Sequence, residues 1–463
     1  MNRSTAIAAA TEYFDSGRFR LDLERRVAHR TESQDPAAGP RLRAYLSDAI
    51  VADVERMGFT ARIVDNPVSA AHPFLIAHRH EGDELPTVLT YGHGDVQLAH
   101  PEQWREGLDP WRLTVEGDRW YGRGSADNKG QHTVNLGALE QVLTVRAGKL
   151  GYNVTLLIDM GEESGSPGLN ELCAQHRDEL AADLLLASDG PRLSADLPTV
   201  FLGSRGVCNF ELSYRARPES HHSGNWGGVL SNPAVVLANA LAGMVDQRGR
   251  LLVDGLRPAA IPDSVRSALA QLSVDSSAGS PAVDPGWGEP GLSPTERLFG
   301  WNTLEILAMV AGDPDGPVNA IPADARAFCQ LRFVVGTDPA TIGTVLRGHL
   351  DAHGFEMVAV TVEHGMNATR LDPDDPWVRW ALASMRATTG KEPGLLPNLG
   401  GSLPNEAFAD VLGLPTIWIP HSYPGCAQHA PDEHLLAPLM RESLQIMAGL
   451  FWDLGELRDG RPE

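Results

Sequence analysis

Hydrophobic positions along the chain follow two rhythms. Leu42, Leu46, Ile50 and Val54 recur every four residues, and Gly58 follows Met57. That spacing predicts an amphipathic helix with a glycine stop. Short apolar runs at Thr87–Tyr91, Asn153–Ile158, Asp183–Ala187 and Thr416–Ile419 predict buried strands. Helical patterns follow several of them. Within 128–145, Val134, Ala138 and Val142 share one face, with Leu139 and Leu143 alongside. Strands alternating with helices predict an α/β fold, a mostly parallel sheet covered on both sides.

The middle of the chain reads as α+β. "VCNFELSYRA" and "FCQLRFVV" alternate with a period of two, and "NPAVVLANALAGMV" is helical. "SVDSSAGSPAVDPGWGEPGLSPTE" is rich in Gly, Pro and Ser and predicts an exposed loop. Strand and helix signals resume after Asp372. The expected organisation is an α/β domain made of residues 1–205 and 366–463, with a second domain, 206–365, inserted in its middle.

Composition changes the picture in three ways. A chain of 463 residues exceeds one ordinary core, which favours two domains. A net charge of −22, from 60 acidic and 38 basic residues, sets the surface against nucleic acid and anionic membranes as partners. The 4 cysteines, Cys173, Cys208, Cys329 and Cys426, have no C-x-x-C spacing, so a disulfide framework or a cysteine zinc site is not expected. No apolar run reaches membrane-spanning length, and Ala6–Ala10 is too short for a signal peptide. A cytoplasmic location is the expectation.

The predicted strands end in candidate ligands. "VLTYGHGDVQ" presents His93 and Asp95, which point the same way because extended side chains alternate. "WYGRGSADNKGQ" places Asp127 at the entry to a helix. "NVTLLID" runs into "MGEESGS", with Glu162 and Glu163, and "DLLLAS" ends at Asp189. "PHSYPGCAQHAPDEH" supplies His429 late in the chain. Each has a plain alternative: a helix N-cap for Asp127, a turn for Asp189-Gly190, a solvated loop for the two glutamates, a surface position for His429, a satisfied core histidine for His93. In open α/β sheets, however, ligands bind beyond the carboxyl ends of the strands. Two imidazoles with several carboxylates suit two divalent ions of the zinc, manganese or cobalt kind. One of the neighbouring glutamates can ligate while the other serves as a general base.

In their order along nearly the whole chain, these motifs resemble those of the co-catalytic metallo-aminoacylase and carboxypeptidase family. That family includes acetylornithine deacetylase, succinyl-diaminopimelate desuccinylase, glutamate carboxypeptidase and carnosinase-like dipeptidases. "YGHGDVQ", "WYGRGSADNKGQ", "GEESGS", "GGSLP" and "QHAPDEH" carry the resemblance. It implies a catalytic domain with a phosphorylase/hydrolase-like sheet and an inserted lid and dimerisation domain. His93 and Asp189 would bind one ion, Glu163 and His429 the other, and Asp127 both, next to a cis peptide bond to Asn128. Glu162 would be the general base, and Asp95 would hold the imidazole of His93. "SHHSGNWGG" is similar to the motif whose histidine, here His222, reaches the partner subunit's active site in a homodimer. "NAIPADARAFCQLRF" resembles the segment that offers Asn319 and Arg332 to the substrate's carboxylate; Gly401 and Ser402 of "GGSLP" complete the substrate site. The alternation independently sets Cys329, Leu331, Phe333 and Val335 on one apolar face and Arg332 on the other.

The implied activity is hydrolysis of a C–N amide bond next to a free carboxylate, with two divalent ions per chain, zinc foremost. The substrates would be small peptides or N-acyl amino acids. Asp followed by Gly at Asp189-Gly190 leans toward the dipeptidases, since several deacetylases carry Glu there. The alternatives are a carbamoyl or ureido amidohydrolase on the same scaffold, or a non-catalytic metal-dependent binding protein. A serine hydrolase is disfavoured by the lack of a G-x-S-x-G elbow.

Overall fold

The computed structural model describes residues 2–274, 282–363, 365–457 and 460–462. An eight-stranded sheet runs in the order Thr60–Val64, Phe74–Arg79, Asn153–Asp159, Thr87–His93, Leu184–Ala187, Thr416–Trp418, Thr199–Phe201, Gly394–Leu396. The four strands from Asn153–Asp159 to Thr416–Trp418 are mutually parallel. Antiparallel pairing enters at Phe74–Arg79 and between Trp418 and Phe201. All four predicted strands are present, within two residues at each end. The edge strands Thr60–Val64 and Gly394–Leu396 had no such pattern: the first is half-exposed and the second has three residues, too few for a period to show.

Helices cover both faces. Lys129–Val145 and Ala437–Leu454 pack on one side with the N-terminal helix Arg3–Asp15, whose Ala6, Ala10 and Tyr13 are buried. Leu169, Leu172 and Cys173 of the helix Leu169–Gln175 pack on the other side with Phe408 and Trp418. The four-residue rhythm from Leu42 to Val54 is helical, running from Gly39 to Arg56 with a π-helical stretch at Leu46–Val51. It ends at Gly58, whose φ of 80° is open to glycine, while Phe59 N–H closes back on Val54 O at 3.1 Å. No helix among the described residues is long and apolar enough to cross a membrane. All four cysteines are buried and free.

Residues 206–362 supply a separate antiparallel sheet, in the order Thr303–Val310, Asp324–Phe333, Gly206–Arg215, Ala359–Val362. The helices Pro233–Met244 and Ile342–Ala352 share its core. Two expectations need correction here. Val335 does not join the apolar face of Cys329, Leu331 and Phe333: the strand ends at Phe333, and Val335 is 40% exposed. Nor is the Gly/Pro/Ser-rich segment simply an exposed loop. Its residues 275–281 lie outside the described residues, but Glu289 is buried beside Arg257 at 2.8 Å. Its end starts the helix Pro294–Phe299 through a Ser293/Glu296 capping box.

Candidate metal centre

The strand Thr87–His93 is buried almost throughout and delivers His93 at its carboxyl end. The flanking glycines are steric necessities. A Cβ on Gly94 would lie 2.4 Å from the Tyr45 ring, and one on Gly92 2.9 Å from the His132 side chain. His93 Nδ1 is 3.1 Å from the Asp95 carbonyl and 3.4 Å from its Oδ1. That leaves Nε2 to face Asp127 Oδ1 at 3.1 Å. The Asp95 carboxylate also accepts the backbone N–H groups of Glu162 at 3.2 Å and Glu163 at 3.0 Å. One buried side chain thus ties the first histidine to the double-glutamate loop.

Asp127 is no N-cap. Asn128 holds that position before the helix Lys129–Val145, makes no side-chain cap bond, and is joined to Asp127 by a cis peptide. Asp127 turns Oδ1 to His93 and Oδ2 to His429, whose Nε2 is 2.9 Å away. His429 Nε2 is also 3.1 Å from Glu163 Oε2. On the other side, Asp189 Oδ2 stands 3.7 Å from His93 Nε2, too far for a hydrogen bond. The carboxylate of Glu162 is 3.9 Å from the same nitrogen. The six residues therefore meet, with His93 and Asp189 on one side of Asp127 and His429 and Glu163 on the other.

The electrostatics describe a site short of positive charge. Burial pushes the Glu163 carboxyl up to about 7 and the Asp189 carboxyl up to about 6, and raises Glu162 well above the carboxylate range. Burial alone would lower His93, but Asp127 and Asp95 hold it well above an ordinary imidazole. His429 is held at about 10, as Asp127 and Glu163 outweigh its burial. Asp127 lies well below the usual range because both imidazoles outweigh its burial. Asp189 Oδ2 is buried with no hydrogen-bond partner among the described residues. An oxygen left bare beside an imidazole, amid crowded carboxylates, fits a divalent cation. The ligand atoms of His93, Asp127 and Glu163 lie within 4.8 Å of one another, as shared coordination needs.

Four residues that build the centre carried no local signal, or too little. Glu433 Oε1 accepts the N–H groups of Ala126 at 2.9 Å and Asp127 at 3.0 Å, while its Oε2 accepts from Gly124 N–H at 3.0 Å and Arg123 Nη1 at 2.8 Å. Gln97 Nε2 donates to Glu163 Oε2 at 3.0 Å, Gln428 donates to Asp127 Oδ2, and Asn128 Nδ2 donates to the Ser188 carbonyl at 2.9 Å. Glu433 and Gln428 stand inside "QHAPDEH" near His429, Gln97 closes "YGHGDVQ" and Asn128 lies in "WYGRGSADNKGQ", and that proximity to candidate ligands was their only clue in the sequence.

The expected substrate residues fall in two places. Arg332 Nη1 donates to Ser402 Oγ at 2.8 Å, joining the antiparallel sheet to the "GGSLP" segment. Gly401 lines a cavity of about 500 Å³ with Pro191, Phe299, Leu396 and Leu399. His222 and Asn319 lie elsewhere, on the two strands His221–His222 and Ala320–Ile321 and at their margin. His222 is exposed, with Nδ1 accepting the Gly224 N–H at 3.1 Å, and the Asn319 carbonyl accepts the Ser223 N–H at 2.9 Å. Among the described residues no hydrogen bond or ion pair joins either of them to the acidic cluster.

Residues 89–453 match the model of peptidase family M20/M25/M40. The Beta-Ala-His dipeptidase of Rattus norvegicus is 26% identical over 405 residues, which cover 84% of this chain and 81% of that one. The solved structure of the dipeptidase Dug1p from Saccharomyces cerevisiae aligns over 99% of this chain and 100% of its own, with a TM-score of 0.78 at 21% identity. Human carnosine dipeptidase 1 aligns over 97% and 99%, with a TM-score of 0.75 at 23% identity. At those identities the two structures demonstrate a common fold.

Proposed function

The chain belongs to peptidase family M20/M25/M40, and from that membership we propose a dinuclear metallodipeptidase that cleaves the amide bond next to a free carboxylate. One observation carries the reading: Asp127 faces His93 with one oxygen and His429 with the other, and each imidazole has a further carboxylate beside it. His93 and Asp189 would hold one ion, His429 and Glu163 the second, and Asp127 both. Zinc is the proposed metal, with manganese or cobalt able to take the same donors. When bound, divalent ions polarise a carbonyl oxygen and bring water's pKa toward neutrality.

The chain's own residues do the rest. Glu162 takes a proton from the attacking water and returns it to the leaving amine. Asp95 keeps the His93 ring and the Glu162 backbone in place. Arg332, Ser402 and Gly401 receive the substrate's carboxylate, with Asn319 from the lid. His222 donates to the developing oxyanion in the partner's site of a homodimer. Its exposure and its lack of a partner in the acidic cluster support a role across an interface. So does the apolar edge strand Thr303–Val310, where Ile306, Leu307, Met309 and Val310 are exposed. The four free cysteines support a cytoplasmic location.

The relatives' names favour dipeptides over N-acyl amino acids. The test is metal-stripped protein reconstituted with zinc, manganese or cobalt and assayed on dipeptides and on N-acetyl, N-succinyl and N-carbamoyl amino acids. Turnover of free-carboxylate dipeptides, with two ions bound per chain, is the expected result. Full activity at a plateau of one ion overturns the dinuclear reading, and a preference for N-carbamoyl substrates overturns the dipeptidase reading.

A further inference from the structure

Arg205 lies where the chain leaves the eight-stranded sheet, one residue before the strand Gly206–Arg215. It is a buried arginine, 6% exposed. Its backbone N–H donates to the Leu399 carbonyl at 3.1 Å, its carbonyl accepts Ser402 Oγ at 2.7 Å, and its Nε donates to the Gly400 carbonyl at 3.0 Å. All three contacts land on the same short segment. Ser402 Oγ in turn accepts from Arg332 Nη1 at 2.8 Å. The Arg332 guanidinium thus ends on the Ser402 hydroxyl and the Arg205 guanidinium on the Gly400 carbonyl, two residues earlier in the same segment.

Neither has a carboxylate within ion-pair distance among the described residues. Arg332 Nε is taken by Gln330 at 2.9 Å, and Arg205 Nη1 reaches only Thr303 Oγ1 at 3.5 Å. The Nη2 of each makes no hydrogen bond among the described residues. Burial and the like charge of Arg332, against a weaker pull from Glu305, lower the Arg205 guanidinium to about 10. Two neighbouring cations with no carboxylate in ion-pair contact among the described residues, and only the weaker pull of Glu305, are unfavourable in a folded interior. Propping the Gly400 carbonyl needs a donor but not a second charge. A carboxylate over Ser402 would neutralise both groups, and the planar guanidinium fork suits its two oxygens.

We propose that Arg205 is a second cation of the substrate's carboxylate site, binding the terminal carboxylate together with Arg332 and Ser402. The inference rests on the carboxylate-adjacent cleavage proposed above. Arg205 discriminates the free acid from its neutral amide, and it acts mainly through substrate binding.

The experiment compares β-alanyl-histidine and cysteinylglycine with their C-terminal amides, using metal-reconstituted enzyme. Wild type should favour the acids. In R205Q, kcat/KM for the acids should fall about 10- to 100-fold, chiefly through KM, as expected for losing a hydrogen bond to a charged group. The amides should change less than about 2-fold, so the acid-to-amide ratio collapses. R205K keeps the charge without the fork and should retain part of the ratio, which covers the case in which R205Q fails to fold; circular dichroism and metal content monitor that. If wild type treats acids and amides alike, the carboxylate reading itself falls. If wild type discriminates and the folded variants discriminate equally well, or lose acids and amides in proportion, Arg205 is a structural prop and the inference is overturned.

Discussion

Glu433 accepts the backbone N–H of Asp127 at 3.0 Å, although 306 residues separate them. Its carboxylate is fully engaged by Gly124, Ala126, Asp127 and Arg123, and the Arg123–Glu433 pair is almost completely buried. The carboxylate proposed to bridge two ions is therefore presented by a loop that a second, non-ligating carboxylate holds from beneath.

Glu433→Gln should weaken metal binding without removing a ligand. Glutamine offers one acceptor oxygen in place of two and leaves Arg123 uncompensated. Supports of this kind typically change metal affinity by about 10- to 100-fold, and breaking a buried ion pair costs about 3–5 kcal/mol. Calorimetric zinc titration and chemical denaturation of wild type and variant check both. Unchanged affinity and stability would remove Glu433 from the account.

Glu162 and Glu163 should fail differently, though they are neighbours. Glu163 Oε2 lies 3.1 Å from His429 Nε2, whereas Glu162 is assigned the proton. Glu162→Gln should keep its metal while turnover drops by about 10²–10⁴-fold. Glu163→Gln should lose metal as well as turnover. Elemental analysis beside steady-state rates separates the two, and near-normal turnover in Glu162→Gln would show that the base is another group.

His222 should complement across subunits. His222→Ala and Glu162→Gln chains are each expected to be nearly inactive, since losing one oxyanion donor costs about 10²–10³-fold. A mixed dimer contains one site with an intact Glu162 and the partner's intact His222. Mixing the two variants and following activity as subunits exchange should recover a fraction of wild-type rate. Verified heterodimers that stay inactive would place His222 outside the partner's site.

Stability should depend on Glu179 at low pH. Burial would raise this carboxyl, but hydrogen bonds from Arg62, His78 and His176 outweigh it and hold it at about 2, against 4.5 when unperturbed. A depressed carboxyl contributes stability that is complete above the unfolded value and is lost as pH falls through the folded one. Glu179→Gln should therefore be less stable than wild type by a constant margin above about pH 5.5, with the margin shrinking between 4.5 and 2. Urea denaturation across that range measures it. A margin that stays constant down to about pH 3 would refute the clamp.

The sequence by itself determined what is local in this protein. Apolar runs form strands that end at candidate ligands, as Thr87–His93 ends at His93, and the four-residue rhythm from Leu42 makes a helix that Gly58 stops. The candidate site was legible for the same reason, because the side chains proposed to hold metal sit in short motifs beside those strand ends. Tertiary structure alone decided which oxygen of Asp127 meets which imidazole, that a buried oxygen of Asp189 has no hydrogen bond among the described residues, and that Glu433 receives the loop's N–H groups. It alone set the Arg205 backbone carbonyl and the Arg332 guanidinium on the Ser402 hydroxyl, and it ended the Asp324–Phe333 strand short of Val335. The physical reason is range: periodicity and strand-end position are written in neighbouring residues, whereas a buried charge finds its partner only after chain segments hundreds of residues apart have packed and excluded water.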